Sequence, residues 1–323
     1  VKLRVAWPAG ARRLFRRHPL RRGNVLGGRS LRAMDLVLEQ FDNYVLDDVY
    51  AATTRWPREY IVRQAVSVYC VVWLMSHALY FVFSTLDFYL LFDRSLLQHK
   101  LALKNQVRKE IGSATWGLFI MGFYTLPVWL AELRGYSKLY TSVADNGGWT
   151  YVAISIVGFI FFTDFCIYWI HRVFHHPALY TFVHKEHHRW KVPTPFASIA
   201  FTPIDGFMQG FPYHLFVFLF PLQRHLYLLL FFGVQLWSIS IHDQVYVTYG
   251  SPLRGIVNGA DHHIEHHLKF NYNYGQFFTL QDKLWGTHLP PTKEAVTLAA
   301  DVRRASGATR NGGAPRGRKA KTK

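Results

Sequence analysis

The chain has 323 residues and a formal net charge of +17; half its residues are hydrophobic and 17% are aromatic. That is too apolar for a routine soluble enzyme, and two cysteines, Cys70 and Cys166, both inside apolar stretches, argue against a disulfide framework or a thiolate zinc site. The charge sits at the ends: residues 1–33 carry ten Lys or Arg and no acid, and residues 302–323 carry eight and no acid. No folded basic module accompanies it, so nucleic acid is not an expected partner.

In chain order, residues 1–33 form a basic extension, similar in composition to a transit peptide and equally to an upstream extension of the reading frame. Met34-Asp-Leu-Val-Leu-Glu opens a more ordinary start. Residues 34–148 form an N-terminal membrane region with two spans. Ala65 to Phe83 runs 19 residues without a charge and Ala114 to Ala131 runs 18, with a charged loop over about 85–113 lying along the membrane surface. Residues 149–290 carry the rest: Trp149 to Ile170 runs 22 residues broken by Asp164, and Phe211 to Ile241 is broken by Arg224 and His225. Stretches near 20 residues match a hydrocarbon core of roughly 30 Å at 1.5 Å per residue. The fold class is therefore an all-α polytopic membrane protein with about four transmembrane helices. Residues 291–323 are a basic tail of disordered composition. The two basic ends predict one shared side under the positive-inside rule.

Thirteen of the 17 histidines fall between His171 and His267. They lie in three boxes: His171-Arg-Val-Phe-His175-His176, His184-Lys-Glu-His187-His188 and His262-His263-Ile-Glu-His266-His267. Residues at i, i+3 and i+4 share a helix face, so each box aims two or three imidazoles at one point. The first box follows the third span directly, and the second lies just past Pro177. His242 ends the last apolar segment. For the boxes to converge as a histidine-rich helical cap, Phe211–Ile241 must run out and back as a hairpin, with Pro203, Pro212 and Pro221 bending or breaking it.

Nine histidines make the candidate ligand set: His171, His175, His184, His187, His188, His242, His263, His266 and His267. Nine exceeds the four a structural zinc takes, which points to two metal ions; imidazole suits iron, zinc, copper or nickel. Zinc hydrolysis is the alternative chemistry and needs a carboxylate base; Glu186 and Glu265 lie in the boxes but off the histidine stripe. His176 and His262 are additional candidates, and Asp164, Asp205, Asp243 and Asp261 are candidates to orient the second ring nitrogens. His214 and His225 are expected to be structural, His288 a loop residue and His77 a polar group within the first span.

The run His171-Arg…His175-His176-Pro…His184-Lys-Glu-His187-His188 resembles the fatty acid hydroxylase superfamily of membrane di-iron oxygenases. Trp190-Lys-Val-Pro-Thr-Pro-Phe-Ala-Ser198, Pro203-Ile-Asp-Gly-Phe-Met-Gln209, Pro212-Tyr-His214, Ile241-His-Asp243 and Phe270-Asn-Tyr-Asn-Tyr-Gly-Gln276 are similar to its sterol C-5 desaturase branch. The resemblance runs from about Met34 to Pro290. It implies a Δ7-sterol 5(6)-desaturase of the endoplasmic reticulum, in the late ergosterol or cholesterol pathway, using two irons, O2 and electrons from NAD(P)H through cytochrome b5 and its reductase. The same scaffold also serves sterol C-4 methyl oxidases and lipid hydroxylases, and an inactive sterol-binding paralogue is a further alternative.

Four positions depart from that branch. Ile199 and Thr202 stand where histidines are usual, Gln244 where glycine is usual, and Glu186 where proline is usual. A flat apolar substrate entering from the bilayer is expected to meet aromatics near the boxes, namely Phe196, Phe207 and Tyr274. The chain ends Lys319-Ala-Lys321-Thr-Lys323, similar to a dilysine retrieval signal on a cytosolic tail, with the boxes and both termini expected in the cytosol.

Overall fold

The computed structural model describes residues 33–247 and 251–292. The basic extension through residue 32 and the tail from residue 293, with Lys319 and Lys321, lie outside the described residues. Short helices α1 (Ala33–Phe41) and α2 (Asp47–Ala52), linked by one π-helical stretch, precede three long rods: α3 (Ile61–Leu90), α4 (Gln106–Leu133) and α5 (Gly148–Phe174). Among the described residues these three are long and apolar enough to cross a membrane. The first three predicted apolar stretches each lie within a longer helix, because the flanking polar residues keep helical propensity as they leave the hydrocarbon. Leu74, Val82, Trp116, Phe123, Ile154 and Val157 are exposed along the rods, as expected of a lipid-facing surface. Both cysteines are free; Cys70 is exposed and Cys166 half-buried, so Cys70 faces outward rather than packing.

The segment after α5 folds as the predicted hairpin. Helix α6 (Pro177–Val183) is followed by α7 (Pro203–Leu219) and α8 (Arg224–Ser240). Thr202 starts α7, its hydroxyl accepting from Asp205 N at 3.4 Å with Pro203 at the first helical position. Phe220 is extended, the conformation proline imposes on the residue before it, and Pro221 turns the chain. Gln223 then caps α8 through His225 N (2.7 Å) and Leu226 N (2.8 Å). At the turn, β1 (Leu139–Tyr140) pairs in parallel with β2 (Leu222–Gln223) in the register Leu139↔Leu222. The core between α5, α7 and α8 is Phe159, Ile167, Tyr213, Phe216, Val217 and Tyr227. The cap adds α9 (Ala260–Lys269) and α10 (Leu280–Leu284).

Directions follow from the contacts. The end of α3 and the start of α4 meet the loop after box two: Phe88 packs on Phe196 at 5.5 Å, and Gln106 Nε2 donates to Val192 O at 2.6 Å. The start of α3, the end of α4, the start of α5 and the hairpin tip share the other end; Arg134 reaches Glu59 O, and Tyr151 OH donates to Pro221 O. Among the described residues the bundle therefore has three long rods plus two 17-residue helices of about 25 Å each. The segment 33–60, tied to the start of α3 by Arg63–Asp42 and Arg63–Asp47 ion pairs (2.6 Å each), lies at the end away from the histidines.

Candidate metal centre

Box one is the last turn of α5. Box two is a turn and a short 3-10 helix rather than an α-helix, with His184 capping α6. Box three lies on α9, which is buried over Ala260–His267. The nine candidate histidines meet in two groups, within each of which the ligand nitrogens lie within 4.8 Å of one another: His171, His175, His184, His188 and His266 in one, His187, His242, His263 and His267 in the other. Boxes two and three each divide between the groups. The i, i+4 pair His184/His188 joins the first group and His187 the second, while His263/His267 joins the second and His266 the first. Spacing had suggested one focus per box; successive imidazoles on a tight helix instead point about 100° apart, far enough to reach neighbouring foci.

The hydrogen bonds test whether these rings suit a metal. His171 Nδ1 donates to Tyr274 O at 3.0 Å and His184 Nδ1 donates to Asp205 Oδ2 at 2.7 Å. With the proton held on Nδ1, each Nε2 carries a lone pair, yet these two Nε2 atoms face each other at 2.9 Å. In the second group His242 Nδ1 donates to Ser238 O at 2.6 Å, and its Nε2 stands 3.0 Å from His263 Nε2. His266 Nδ1 donates to Tyr272 O at 2.6 Å, while its Nε2 is buried with no hydrogen-bond partner. Facing lone pairs repel; a shared cation turns the repulsion into coordination, so the donor set fits two metal ions. Burial, reinforced by neighbouring imidazoles, pushes His187, His188, His263, His266 and His267 well below the ordinary imidazole pKa, and burial takes His242 down to about 4. Neutral imidazole is the form that binds metal.

The remaining candidates divide. Asp205 orients His184 and also accepts from Gln209 Nε2 at 2.6 Å. The other carboxylates are placed differently: Asp164 accepts backbone N–H groups of Gln276, Phe277 and Phe278, Asp243 accepts from Val245 N, and Asp261 meets Arg254 and His262. His176 is exposed and caps α6, and His262 stacks on His288; neither belongs to the two groups. Glu186 pairs with Arg189, and Glu265 accepts from Thr292. His77 Nδ1 donates to Trp73 O within α3, and His225 meets Gln223.

A cavity of about 420 Å³ leads from the histidines into the bundle. Its wall holds His171, His187, His242 and His263, with Ile199, Phe201 and Phe207 among the apolar lining. Of the three aromatics expected to line it, Phe207 does. Phe196 is buried against Tyr80 and Phe88 instead, and Tyr274 packs on His171, His175 and His266. Sequence reasoning missed Glu110, which is fully buried and pins the Pro193–Ser198 loop by accepting from Thr194 N at 3.3 Å, Thr194 Oγ1 and Gln106 Nε2. An acid just before the apolar run of α4 was the available signal.

Residues 156–287 match the fatty acid hydroxylase family. The chain is 47% identical to lathosterol oxidase of Mus musculus over 80% of this chain and 86% of that one. It is 44% identical to a Delta(7)-sterol 5(6)-desaturase of Gibberella zeae over 80% of each. The chain belongs to the Δ7-sterol 5(6)-desaturase family. A third member, from Aspergillus fumigatus, is 40% identical over 87% of this chain and 98% of its own length. No solved structure matches.

Membership gives the departures physical content. Gln244 has φ +59, the left-handed region that favours glycine, and it is held there by Nε2 donating to Pro193 O at 2.9 Å. Thr202 caps α7 and donates to Val183 O at 2.6 Å. Ile199 is apolar cavity wall.

Proposed function

We propose that this protein is an O2-dependent Δ7-sterol 5(6)-desaturase of the endoplasmic reticulum membrane, acting in late sterol biosynthesis with two irons held by the nine histidines. The observation that carries the proposal is that one apolar cavity inside the bundle ends on imidazoles of both histidine groups. A flat hydrocarbon skeleton entering there has a reacting carbon against the metal centre and its remainder in an apolar wall. Iron supplies the one-electron redox chemistry needed to activate O2 for C–H cleavage, which zinc lacks.

Desaturation removes one hydrogen from each of two adjacent carbons. The balance closes when O2 takes those two hydrogens, two electrons and two protons and leaves as two waters. The electrons come from outside the chain, and cytochrome b5 with its NAD(P)H-dependent reductase is the proposed source. The chain's own residues act by position. Asp205 and the carbonyls of Tyr274, Ser238 and Tyr272 fix the tautomers and ring planes of His184, His171, His242 and His266. Ile199, Phe201, Phe207 and Ile241 exclude water and hold the ring system flat.

Expression in a yeast lacking its C-5 desaturase, followed by sterol profiling, tests the proposal. The expected result is a new 5,7-diene. Accumulation of a hydroxylated or C-4-oxidised sterol in its place moves the assignment to a hydroxylase or C-4 methyl oxidase, and an unchanged profile with the protein present and metal-loaded moves it to a sterol-binding paralogue.

A further inference from the structure

The far end of the cavity is not apolar. Its wall there includes His214 on α7 and Tyr227 on α8. Behind them Glu132, at the end of α4, is fully buried. His214 Nδ1 lies 2.9 Å from Glu132 Oε1 and 2.8 Å from the Tyr227 hydroxyl oxygen, and Tyr227 OH donates to the same Oε1 at 3.1 Å. Glu132 Oε2 is buried with no partner. The side chains of His214 and Glu132 are 8% and 0% exposed, so this is a built polar cluster in the bundle interior, where such groups are costly unless they are paired.

The tautomer follows from the partners. Tyr227 needs its proton for Glu132, and a carboxylate only accepts, so Nδ1 of His214 carries the ring proton. Its other nitrogen, Nε2, then offers a lone pair on the cavity wall. That is an acceptor without a donor, and it selects for a ligand carrying O–H rather than a carbonyl or an ether.

Position fixes which end of the ligand meets it. His214 lies nine residues along α7 from Asp205, which touches His184, and Tyr227 lies 15 residues along α8 from His242. At 1.5 Å per residue the cluster is roughly 14–22 Å from the histidine groups. In a sterol oxidised at C-5 and C-6, the ring-A hydroxyl oxygen is only about three bonds from C-5 and cannot span that distance. The part of the molecule that reaches the cluster is the end of the side chain on ring D.

We propose that the His214–Tyr227–Glu132 cluster is a subsite for a hydroxyl group at the end of the ring-D side chain, so that the substrate class includes side-chain-hydroxylated sterols. This rests on the desaturase reading and adds a second point of recognition to it. His214 is the binding residue, and Glu132 and Tyr227 set its tautomer. A hydrogen bond net of about 0.5–1.5 kcal/mol corresponds to roughly 2- to 13-fold in affinity.

The test uses the full chain in lipid nanodiscs with three probes: a Δ7-sterol, the same sterol hydroxylated at the side-chain terminus, and the corresponding side-chain ketone. Expected in the unaltered protein is a 2- to 13-fold tighter binding of the hydroxylated probe, with no gain for the ketone. In His214→Leu the ring lone pair is gone and no acceptor replaces it; the hydroxyl preference should vanish while the parent sterol still binds. Equal affinity for all three probes in the unaltered protein overturns the inference, whether or not the variant folds. So does a preference that survives in a folded His214→Leu. If the parent sterol is neither bound nor desaturated, the desaturase reading itself has failed; if it is desaturated without any hydroxyl preference, only the subsite has.

Discussion

Replacing Asp205 by alanine should weaken one metal ion and leave the other alone. Asp205 is fully buried, and its Oδ2 accepts from His184 Nδ1 at 2.7 Å. His184 belongs to the five-histidine group, and no member of the four-histidine group takes its place there. A hydrogen bond to a charged acceptor is worth roughly 1.5–3 kcal/mol, which is about 10- to 150-fold in a binding constant; loss of such outer partners costs metal sites about 10- to 100-fold. Water cannot easily substitute at a buried site, so the full range applies. Gln209 Nε2 also loses its acceptor, at about 1–3 kcal/mol of stability. Asp205→Asn keeps an acceptor for His184 and should fall less. The assay is chelator competition on purified protein with zinc as a redox-silent probe, read against metal content by mass spectrometry. The expected curve has two phases, one unchanged and one shifted by one to two orders of magnitude. Two unshifted phases, or two shifted equally, refute the division of the histidines into independent groups.

Phe196→Ala and Phe207→Ala should separate cleanly. The first leaves a hole in the packing against Tyr80 and Phe88 and should cost about 3–5 kcal/mol of stability; the second opens the cavity wall and should raise KM for the sterol with a smaller change in melting temperature. Glu110→Ala strands one N–H of the buried Gln106 amide and the Thr194 N–H, so unfolding should come about 1–3 kcal/mol earlier, and a melting curve matching the unaltered protein contradicts the pin. Acid should destabilise the metal-free protein: His242 is held near 4 in the fold but titrates near 6.5 when unfolded, so stability is lost as pH falls from about 6.5 towards 4, at up to roughly 1.4 kcal/mol per unit for each such imidazole. A melting temperature that stays flat from pH 7 to pH 5 would count against buried neutral rings.

Much of this was legible in the sequence, because the signals are long or dense. Uncharged runs near 20 residues announced α3, α4 and α5, and Pro221 inside an apolar run announced the hairpin. Eight of the nine candidate histidines stood out by their box spacing, and His242 by its place at the end of the last apolar segment. How the boxes divide between two foci was not legible, because it depends on box two tightening into a 3-10 turn. Nor was the role of each acid: Asp164, Asp205, Asp243 and Asp261 look alike beside histidines, and only the packing shows that Asp205 reaches a ring while Asp164 fastens the Gln276–Phe278 backbone. Glu132 and Tyr227 carry no pattern at all; they become a cluster only when α4, α7 and α8 converge.

The most direct measurement is mass spectrometry of product formed in microsomes from a Δ7-sterol carrying deuterium on the faces of C-5 and C-6 that lose hydrogen, with the unaltered protein and with His187→Ala and His266→Ala, one histidine from each group. The account predicts a diene that has lost both labels in the unaltered protein, and no diene from either variant although both insert into the membrane. A product that keeps both labels and gains one oxygen, or a diene formed by either variant, would contradict it.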